Sequence, residues 1–370
     1  MTSEIYAGVM SGTSLDGVDA VVADFAPGDG TLCRTLGHAH LAYPASLRAT
    51  LLALQAPGVD ELARAGSVAV ELATIYAETL RHALSSARLG ADRVHAAGVH
   101  GQTLRHRPAE GYTLQLNNAA LVAELSRMTI VADFRSRDIA AGGQGAPLVP
   151  AFHAAIFGRE GKRRAIVNIG GIANVTLLES KDNIRGFDTG PGNVLMDLWS
   201  MRVRSEAFDR DGVWAANGKV DAVLLEALLE DGYFSEAPPK STHRDAFDDR
   251  WLEAHLPRAT RTIAPADVQA TLVALTARTI ADAIREHAPS ASEALICGGG
   301  ANNTALMRAL AAELSPRQVE STAKHGVAVD QVEALAFAWL AREGLAGRPG
   351  NVPAVTGARG TRVLGAVYPR

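Results

Sequence analysis

Two kinds of apolar pattern alternate along the chain. Short apolar runs that end in polar or glycine-rich turns predict strands, and stretches with apolar residues three or four positions apart predict helices. The predicted strands include Ile5–Met10, Val18–Phe25, Val94–Val99, Tyr112–Leu116, Thr129–Ala132, Ala165–Ile169, Ile172–Leu178, Ile184–Phe187 and Ala294–Cys297. The predicted helices include Pro44–Gln55, Val59–Arg88, Ala119–Ser126, Val194–Arg202, Asp221–Leu229, Asp248–His255, Ala266–His287, Thr304–Leu314 and Val329–Glu343. Strands that alternate with helices indicate an α/β protein.

The second predicted helix carries the clearest core pattern. Its apolar residues recur at helical spacing, so we expect them inside the protein. They are Leu62, Ala65, Ala69, Leu72, Tyr76 and Leu80.

A unit of strand, glycine-containing turn and strand occurs twice. The turn of the first unit, within Ser11–Asp19, supplies hydroxyls, unobstructed backbone N–H groups and two carboxylates. Hydroxyls and N–H groups suit phosphates, and carboxylates suit Mg²⁺. A structural hairpin needs only one or two such residues, so we favour a ligand-binding role for this turn. In the second unit Gly170 and Gly171 join two apolar strands. The repetition predicts an internal structural duplication.

Asp188 is the acid that we consider first as a catalytic group. It follows the apolar run Ile184–Phe187 and precedes a Gly-Pro-Gly turn and a predicted helix. We therefore expect it at the carboxyl end of a strand, beside a helix N-terminus whose free N–H groups suit an anion. An N-cap or Asx turn is the ordinary alternative for one Asp in a turn.

Further polar positions follow the remaining strands. His100 comes after Val94–Val99 and is available to bond a ligand, whereas a metal site shared with His106 would have poor ligand spacing. Arg135 can hold a sugar carboxylate with two hydrogen bonds or lie in a solvated loop.

Three glycines after Ala294–Cys297 would let a base and ribose lie against the backbone. Glu333 on a mostly apolar helix is a boundary residue or a substrate contact.

Composition narrows the class of protein. The 370 residues suit two domains, and the net charge of −4 with no basic, aromatic-interleaved stretch argues against nucleic-acid binding. The two cysteines, Cys33 and Cys297, do not form a disulfide framework or a metal motif. Neither a signal peptide at Met1–Glu4 nor a membrane span is predicted, so we expect a cytoplasmic protein with no membrane partner.

Turn residues concentrate between Ile139 and Pro150, where we expect a domain boundary. The predicted domains are residues 1–140 plus 345–370, and residues 141–344 with the catalytic acid and the glycine triplet. P-loop, nucleophile-elbow and zinc-protease motifs are absent from the sequence.

The two hairpins, the Asp after a strand and the strand–glycine–helix unit together resemble the actin-like ATPase and sugar-kinase superfamily. The resemblance implies two related actin-like (ribonuclease H-like) α/β domains that clamp Mg-ATP in a cleft between them. Longer motifs resemble one family, anhydro-N-acetylmuramic acid kinase, in order over nearly the whole chain. These motifs are Ser11–Asp19, His100–Thr103, Ala132–Arg135, Asp138–Pro150, Asn168–Asn174, Phe187–Asn193 and Glu333–Leu340.

The resemblance assigns roles to individual residues. Asp188 would be the catalytic base, and His100, Arg135 and Glu333 would line the sugar pocket. The residues implied in ATP binding are Gly12, Thr13, Ser14, Leu15, Asp16, Gly17, Val18, Asp19, Asn168, Gly170, Gly171, Gly298, Gly299 and Gly300. ATP and Mg²⁺ would be the cofactors, no resident metal site is implied, and a homodimer is expected.

The family converts 1,6-anhydro-N-acetylmuramic acid, ATP and water into N-acetylmuramic acid 6-phosphate and ADP during peptidoglycan recycling. Three alternatives stay open at this point. The first is an ordinary kinase of a free sugar hydroxyl, and the second is a non-catalytic ATP-gated module of the actin or chaperone type. The third is a metal-dependent relative that uses His100 and His106.

Overall fold

The computed structural model describes residues 4–26, 32–180, 183–256 and 263–370. The first three residues, part of the segment in which no signal peptide was predicted, lie outside this range. The chain forms two compact units. Unit 1 contains residues 1–156 and 331–370, and unit 2 contains residues 157–330.

The first part of unit 1 builds a sheet and packs helices against it. Its strands are β1 (Ile5–Met10), β2 (Gly17–Asp24), β3 (Arg34–Ala42), β4 (Ala97–Val99), β5 (Gln102–Arg107), β6 (Tyr112–Leu116) and β7 (Ile130–Ala132). Its helices are α1 (Ala45–Ala53), α2 (Glu61–Ala87), α3 (Ala119–Ser126), α4 (Ser136–Ala140) and α5 (Val149–Phe157).

Unit 2 repeats this organisation. Its strands are β8 (Arg164–Ile169), β9 (Ile172–Leu178), β10 (Ile184–Pro191), β11 (Glu293–Cys297) and β12 (Gln318–Ser321). Its helices are α6 (Val194–Arg204), α7 (Val213–Ala216), α8 (Ala222–Leu229), α9 (Asp249–His255), α10 (Pro265–His287) and α11 (Thr304–Leu314). The chain then returns to unit 1 through α12 (Val332–Leu345), α13 (Pro353–Thr356) and β13 (Ala366–Tyr368).

The two main sheets have the same topology. Their strand orders are β3-β2-β1-β4-β7 and β10-β9-β8-β11-β12, and β13 extends the first sheet beyond β7. In each sheet the three strands that come first in the chain, β1–β3 and β8–β10, pair antiparallel. The next two strands run parallel to the first strand of their sheet: β4 and β7 to β1, and β11 and β12 to β8. The expected pair of related α/β domains and the internal duplication are therefore confirmed.

The structural boundaries differ from those expected from the sequence. The expected division at residues 140/141 and 344/345 placed α5 and α12 in the second domain, whereas nearly all of α5 and the whole of α12 belong to unit 1. Packing explains α12. A Cβ on Gly8 of β1 would lie 1.9 Å from the Ala334 carbonyl oxygen, and one on Gly98 of β4 would lie 2.0 Å from that of Phe337. The helix backbone rests directly on these two strands.

The core of unit 1 corrects one prediction for α2. Leu72, Tyr76 and Leu80 are fully buried, as expected, but Leu62 is 90% exposed. Leu62 lies in the first turn of α2, whereas the buried residues of this helix begin at Val68. The apolar pattern was therefore extended one turn too far.

Candidate active site

The turn between β1 and β2 exposes polar side chains and buries one leucine. Thr13, Ser14 and Asp16 are exposed, whereas Leu15 is only 2% exposed. Leu15 adopts a left-handed conformation (φ 54°), and its N–H donates to the Gly12 carbonyl at 3.3 Å. The Ser14 hydroxyl donates to Asp16 Oδ1 at 2.8 Å. The outward groups are those that suit a phosphate and a magnesium ion.

The last residues of the predicted loop belong to β2. A Cβ on Gly17 would come within 2.4 Å of a carbonyl oxygen of β3, and Val18 is fully buried, so packing explains both residues. Asp19 Oδ1 lies 3.2 Å from His38 Nε2 and 3.1 Å from His40 Nδ1. These two histidines were missed in the sequence because β3 carries no clear apolar alternation.

Arg135 and His100 form a buried pair. Arg135 donates to His100 Nε2 from Nε at 3.1 Å and Nη2 at 2.9 Å, and from Nη1 to the Gly145 carbonyl at 2.8 Å. Because a guanidinium has no acceptor, His100 Nε2 carries the lone pair. Burial, aided by Arg135, holds the pKa of His100 well below its usual value, so the ring is neutral. One N–H on each Nη of Arg135 remains for a two-point bond to a carboxylate.

Through this pairing His100 contacts Arg135 and is itself buried. Its side chain packs against Phe337 with the ring centroids 4.7 Å apart, and the residue is only 5% exposed. His100 therefore orients Arg135, and its direct contact with a ligand stays a prediction. Burial lowers the pKa of Arg135 to about 10, which leaves it charged at neutral pH. His106 Nδ1 lies 3.0 Å from the Thr113 hydroxyl.

Asp138 fixes the glycine-rich loop behind Arg135. Its fully buried carboxylate accepts from the Gly145 N–H at 2.8 Å, from Asn351 Nδ2 at 2.6 Å and from the Thr356 hydroxyl at 2.8 Å. The same Gly145 supplies the carbonyl that holds Arg135. Asp138 is thus a structural acid that ties the loop to the C-terminal segment.

Glu333 lies one helical turn before Phe337 on α12 and remains accessible to solvent. Desolvation by the surrounding protein raises the pKa of its carboxyl, the charges of Asp19 and Asp16 raise it further, and Arg135 opposes them. Glu333 therefore interacts electrostatically with Arg135, Asp19 and Asp16, which lie far from it in the sequence.

Asp188 is half-buried in β10 of unit 2. Its N–H donates to the Lys240 carbonyl at 3.2 Å, its carbonyl accepts from the Tyr233 hydroxyl at 2.8 Å, and its Oδ2 accepts from the Thr242 N–H at 3.0 Å. No donor in the described part of the chain bonds to Oδ1. Burial raises the pKa of Asp188, and the Thr242 N–H partly offsets this. One carboxylate oxygen is held and the other is left to accept a proton.

Two expectations about the surroundings of Asp188 are wrong. The strand does not end at Phe187 but continues through Pro191, with an irregularity in the pairing between Asp188 and Gly190. At the start of α6 the N–H groups of Asn193 and Val194 are not free for an anion, because they donate to the carbonyls of Gly170 and Gly171 at 2.8 and 3.1 Å. The helix start is joined to the second hairpin.

Asn193 holds the glycine segments of unit 2 together. Its N–H and side-chain amide bond the carbonyls of Gly170 and Ile169 at 2.8 and 3.1 Å. A Cβ on Gly300 would lie 2.3 Å from Ile169 Cγ2, whereas one on Gly299 would meet nothing closer than 3.7 Å. Gly170, Gly171, Gly299 and Gly300, which the sequence separates widely, therefore lie close together. The exposed Gly299 leaves an open backbone surface.

Asp188 shares a row of the sheet with two asparagines. Asp188 pairs with Asn174 of β9, Asn174 pairs with Asn168 of β8, and Asn168 pairs with Cys297 of β11. Residues opposite each other in neighbouring strands point to the same face of the sheet. A Cβ on Gly298 would lie 2.4 Å from Asn168 Oδ1. The row therefore leads from the candidate base to the two glycine segments.

The family model of anhydro-N-acetylmuramic acid kinase matches residues 4–370. The chain belongs to this family. A relative named anhydro-N-acetylmuramic acid kinase from Paraburkholderia xenovorans (strain LB400) is 51% identical over 371 residues, which cover 99% of this chain and 98% of the relative. A relative of the same name from Pseudomonas syringae pv. syringae (strain B728a) is 50% identical over 98% of this chain and 99% of its own.

A solved structure is also similar to this member of the anhydro-N-acetylmuramic acid kinase family. A ROK family glucokinase from Streptomyces griseus in complex with glucose and AMPPNP has a TM-score of 0.43 and 13% identity, and covers 92% of this chain and 99% of its own. In the described ranges, no helix is long and apolar enough to cross a membrane.

Proposed function

We propose that this chain is an anhydro-N-acetylmuramic acid kinase that opens the 1,6-anhydro ring with water and phosphorylates O6, giving N-acetylmuramic acid 6-phosphate and ADP for peptidoglycan recycling. Membership of the family over residues 4–370 carries the proposal. The half-buried carboxylate of Asp188, with one oxygen fixed and its pKa raised, supports it chemically. The reaction also fits a cytoplasmic protein and, as we further propose, a homodimer.

Asp188 is proposed as the general base. Its free Oδ1 accepts a proton from the water that attacks C1, while O6 of the opening ring attacks the γ-phosphorus of ATP. The raised pKa, caused by burial, makes the Asp188 carboxylate a stronger base than an exposed aspartate. Holding water and sugar in attack geometry can lower the barrier by up to about 7–11 kcal/mol.

The exposed oxygens of the first turn fit a magnesium ion in their chemistry. Mg²⁺ in kinases takes one or two carboxylates with phosphate oxygens and water, and the turn offers Asp16 and Asp19. In the described residues, no group of three or more His, Cys, Asp or Glu residues could hold a metal alone. We propose that Mg²⁺ arrives with ATP, where it neutralises charge on the transferring phosphoryl group.

The other nucleotide contacts are proposed on the same basis. The backbone of Gly12–Asp16, Asn168, Gly170 and Gly171 would hold phosphates, and Gly298–Gly300 would support adenosine. Gly17, Val18 and Asp19, at the start of β2, continue the first loop and would support it from within the sheet. A Cβ on Gly170 would meet nothing closer than 3.6 Å and one on Gly299 nothing closer than 3.7 Å, so both glycines, like the exposed residues of the first turn, have room beside them for a ligand.

The sugar contacts follow from the Arg135 fork. We propose that its two remaining N–H groups hold the lactyl carboxylate of the muramic acid, with His100 as the group that orients it. Glu333, accessible and with a raised pKa, would face the sugar or the attacking water. An ordinary sugar kinase would not need a carboxylate receptor.

A substrate panel tests the proposed function. Wild-type protein with Mg-ATP would be incubated with 1,6-anhydro-N-acetylmuramic acid, its ring-opened form and N-acetylglucosamine, and the products identified by mass. We expect the anhydro sugar to give a phosphorylated product with one added water. Phosphorylation of only the ring-opened sugars would contradict ring opening and favour a hydroxyl kinase. An ATPase rate that no amino sugar changes would favour a non-catalytic ATP-gated module.

Isotope and anomer analysis test the route of ring opening. In ¹⁸O-water we expect the label on C1 and none in the phosphate-ester bridge. Direct attack of water on the β-linked bond gives the α-anomer first, visible by rapid NMR before mutarotation. A glycosyl-enzyme route would give the β-anomer first and needs a second carboxyl about 5 Å away. A β-anomer would therefore remove Asp188 from the role of single general base.

A further inference from the structure

A buried polar cluster lies beneath the first turn and has no role in the reaction described above. It consists of Ser11, Tyr43, Tyr76 and Gln102, which are at most 8% exposed. Ser11 Oγ lies 3.0 Å from the Tyr76 hydroxyl and donates to the Gly101 carbonyl at 3.1 Å. The Tyr43 hydroxyl donates to Gln102 Oε1 at 3.3 Å. Because neutral hydrogen bonds buried in a core are directional, this cluster defines the position of each of its members.

Gln102 connects the cluster to the turn itself. Its Nε2 donates to the Gly12 carbonyl at 3.0 Å. Tyr43 fixes the orientation of the amide, because its hydroxyl occupies Oε1 and leaves the NH₂ group to face Gly12. Burial raises the pKa of Tyr43, so its hydroxyl stays protonated and able to donate.

Two donors hold the carbonyl of the Gly12–Thr13 peptide, Gln102 Nε2 at 3.0 Å and the Leu15 N–H at 3.3 Å, and Gln102 is the only side chain of the two. A Cβ on Gly12 would meet no atom closer than 3.5 Å, so side-chain packing does not fix the residue. In a trans peptide the C=O and the following N–H point in opposite directions. When Gln102 holds the Gly12 carbonyl toward the core, the Thr13 N–H points the other way, to the side where Thr13 and Ser14 are exposed.

We propose that Gln102 is a positioning residue that keeps the Gly12–Thr13 peptide turned so that its N–H, and not its carbonyl oxygen, faces the nucleotide phosphates. This inference rests on the proposed function, because it requires that the first turn binds ATP. A flipped peptide would place a carbonyl oxygen beside phosphate oxygens, which repel it. Gln102, the first residue of β5, follows His100 by two residues, so one short segment supports both the phosphate turn and the group that orients Arg135.

The test compares ligands with and without phosphates. Gln102→Met keeps the length and burial of the side chain but has no donor. We expect it to weaken the binding of ATP about tenfold, measured by calorimetry, while adenosine binds within about twofold of wild type. Gln115→Met is the matched control, since Gln115 lies on the neighbouring β6 and bonds Thr103 and Thr113. It should leave both affinities unchanged.

A second variant keeps the inference testable if Gln102→Met does not fold. In Gln102→Glu the side chain can donate to Gly12 only when protonated. We expect its ATP affinity relative to wild type to fall as the pH rises through the pKa of the new carboxyl, with adenosine affinity unaffected.

Equal losses for ATP and adenosine, or no loss in folded Gln102→Met, would overturn the positioning role while wild-type kinase activity still supported the proposed function. A pH-independent affinity ratio in Gln102→Glu would overturn it as well. If wild-type protein bound no ATP, both proposals would fail together.

Discussion

Asp188 is the residue on which the proposed chemistry depends most directly. Asp188→Asn keeps the shape and can still accept from the Thr242 N–H, but an amide cannot take a proton from water. We expect turnover to fall by about 10²–10⁴-fold or more, with ATP affinity close to wild type. Steady-state rates and calorimetry measure the two effects. If the variant kept a tenth of wild-type activity, the base would be another residue.

The raised pKa of Asp188 makes a second prediction, about stability. The folded state binds this proton more tightly than the unfolded state, so stability falls as the pH rises through the window between the ordinary and the raised pKa. At neutral pH the buried charge therefore destabilises the fold. We expect Asp188→Asn to melt at the same temperature as wild type or higher near pH 7, and this advantage to disappear at low pH. A variant that melts lower at neutral pH would show that the carboxylate stabilises the fold.

Arg135→Lys separates sugar binding from nucleotide binding. Lysine cannot give the planar two-point bond, nor hold His100 and Gly145 at once. We expect the KM for the anhydro sugar to rise at least tenfold while that for ATP changes little. Arg137→Lys, on the exposed side of α4, is the matched control. An equal rise in KM for both substrates would show that Arg135 supports the fold or binds the nucleotide instead of the sugar.

Sequence reasoning identified the chemistry of single residues better than their partners. Asp188 and Arg135 stand out because their types suit a base and a carboxylate receptor. The partners that tune them, Thr242 and His100, act through backbone and buried contacts that only the folded chain creates. The same holds for Gln102, whose neighbours Gly12 and Tyr43 are far from it in sequence.

At the scale of elements, two of the three glycines after β11 differ in their surroundings. Ala at Gly300 would overlap Ile169, which we expect to lower stability by roughly 1–3 kcal/mol through overpacking. Ala at Gly299 fits the protein, so its effect should appear only if a nucleotide lies on that surface. We expect Gly299→Ala to weaken ATP binding without a change in melting temperature. Thermal unfolding and calorimetry on both variants check the contrast. An unchanged ATP affinity of Gly299→Ala would show that adenosine does not lie on Gly299.

Element prediction succeeded where the apolar period was strong. Both hairpins, and helices such as Thr304–Leu314, lie where the pattern places them. β3 was not predicted, because little of it is buried and its apolar residues do not alternate. The extension of β10 through Pro191 was also missed, since a Gly-Pro-Gly run is typical of a turn. Pairing with β9 overrides that local preference.

At the scale of the molecule, the two units differ in how the chain builds them. Unit 2 is one continuous segment, and its main core cluster, from Ala165 to Leu314, lies entirely within it. We therefore expect residues 157–330 alone to fold and unfold cooperatively, as followed by circular dichroism and by dispersed amide NMR signals. Residues 1–156 alone should stay incompletely folded, because they lack α12. A cooperative transition in residues 1–156 and none in residues 157–330 would contradict this interpretation of the two cores.

The return of the chain through α12 also has a consequence in time. During synthesis β1 leaves the ribosome first, but the helix that rests on Gly8 and Gly98 is not made until all of unit 2 has been added. At about 5–20 residues per second, adding residues 157–345 takes on the order of ten to forty seconds. For that interval the part of the first sheet around Gly8 and Gly98 lacks the helix that covers it. A nascent protein of this design exposes an apolar surface of the kind that chaperones bind, and unit 2 can mature before the unit that was started first.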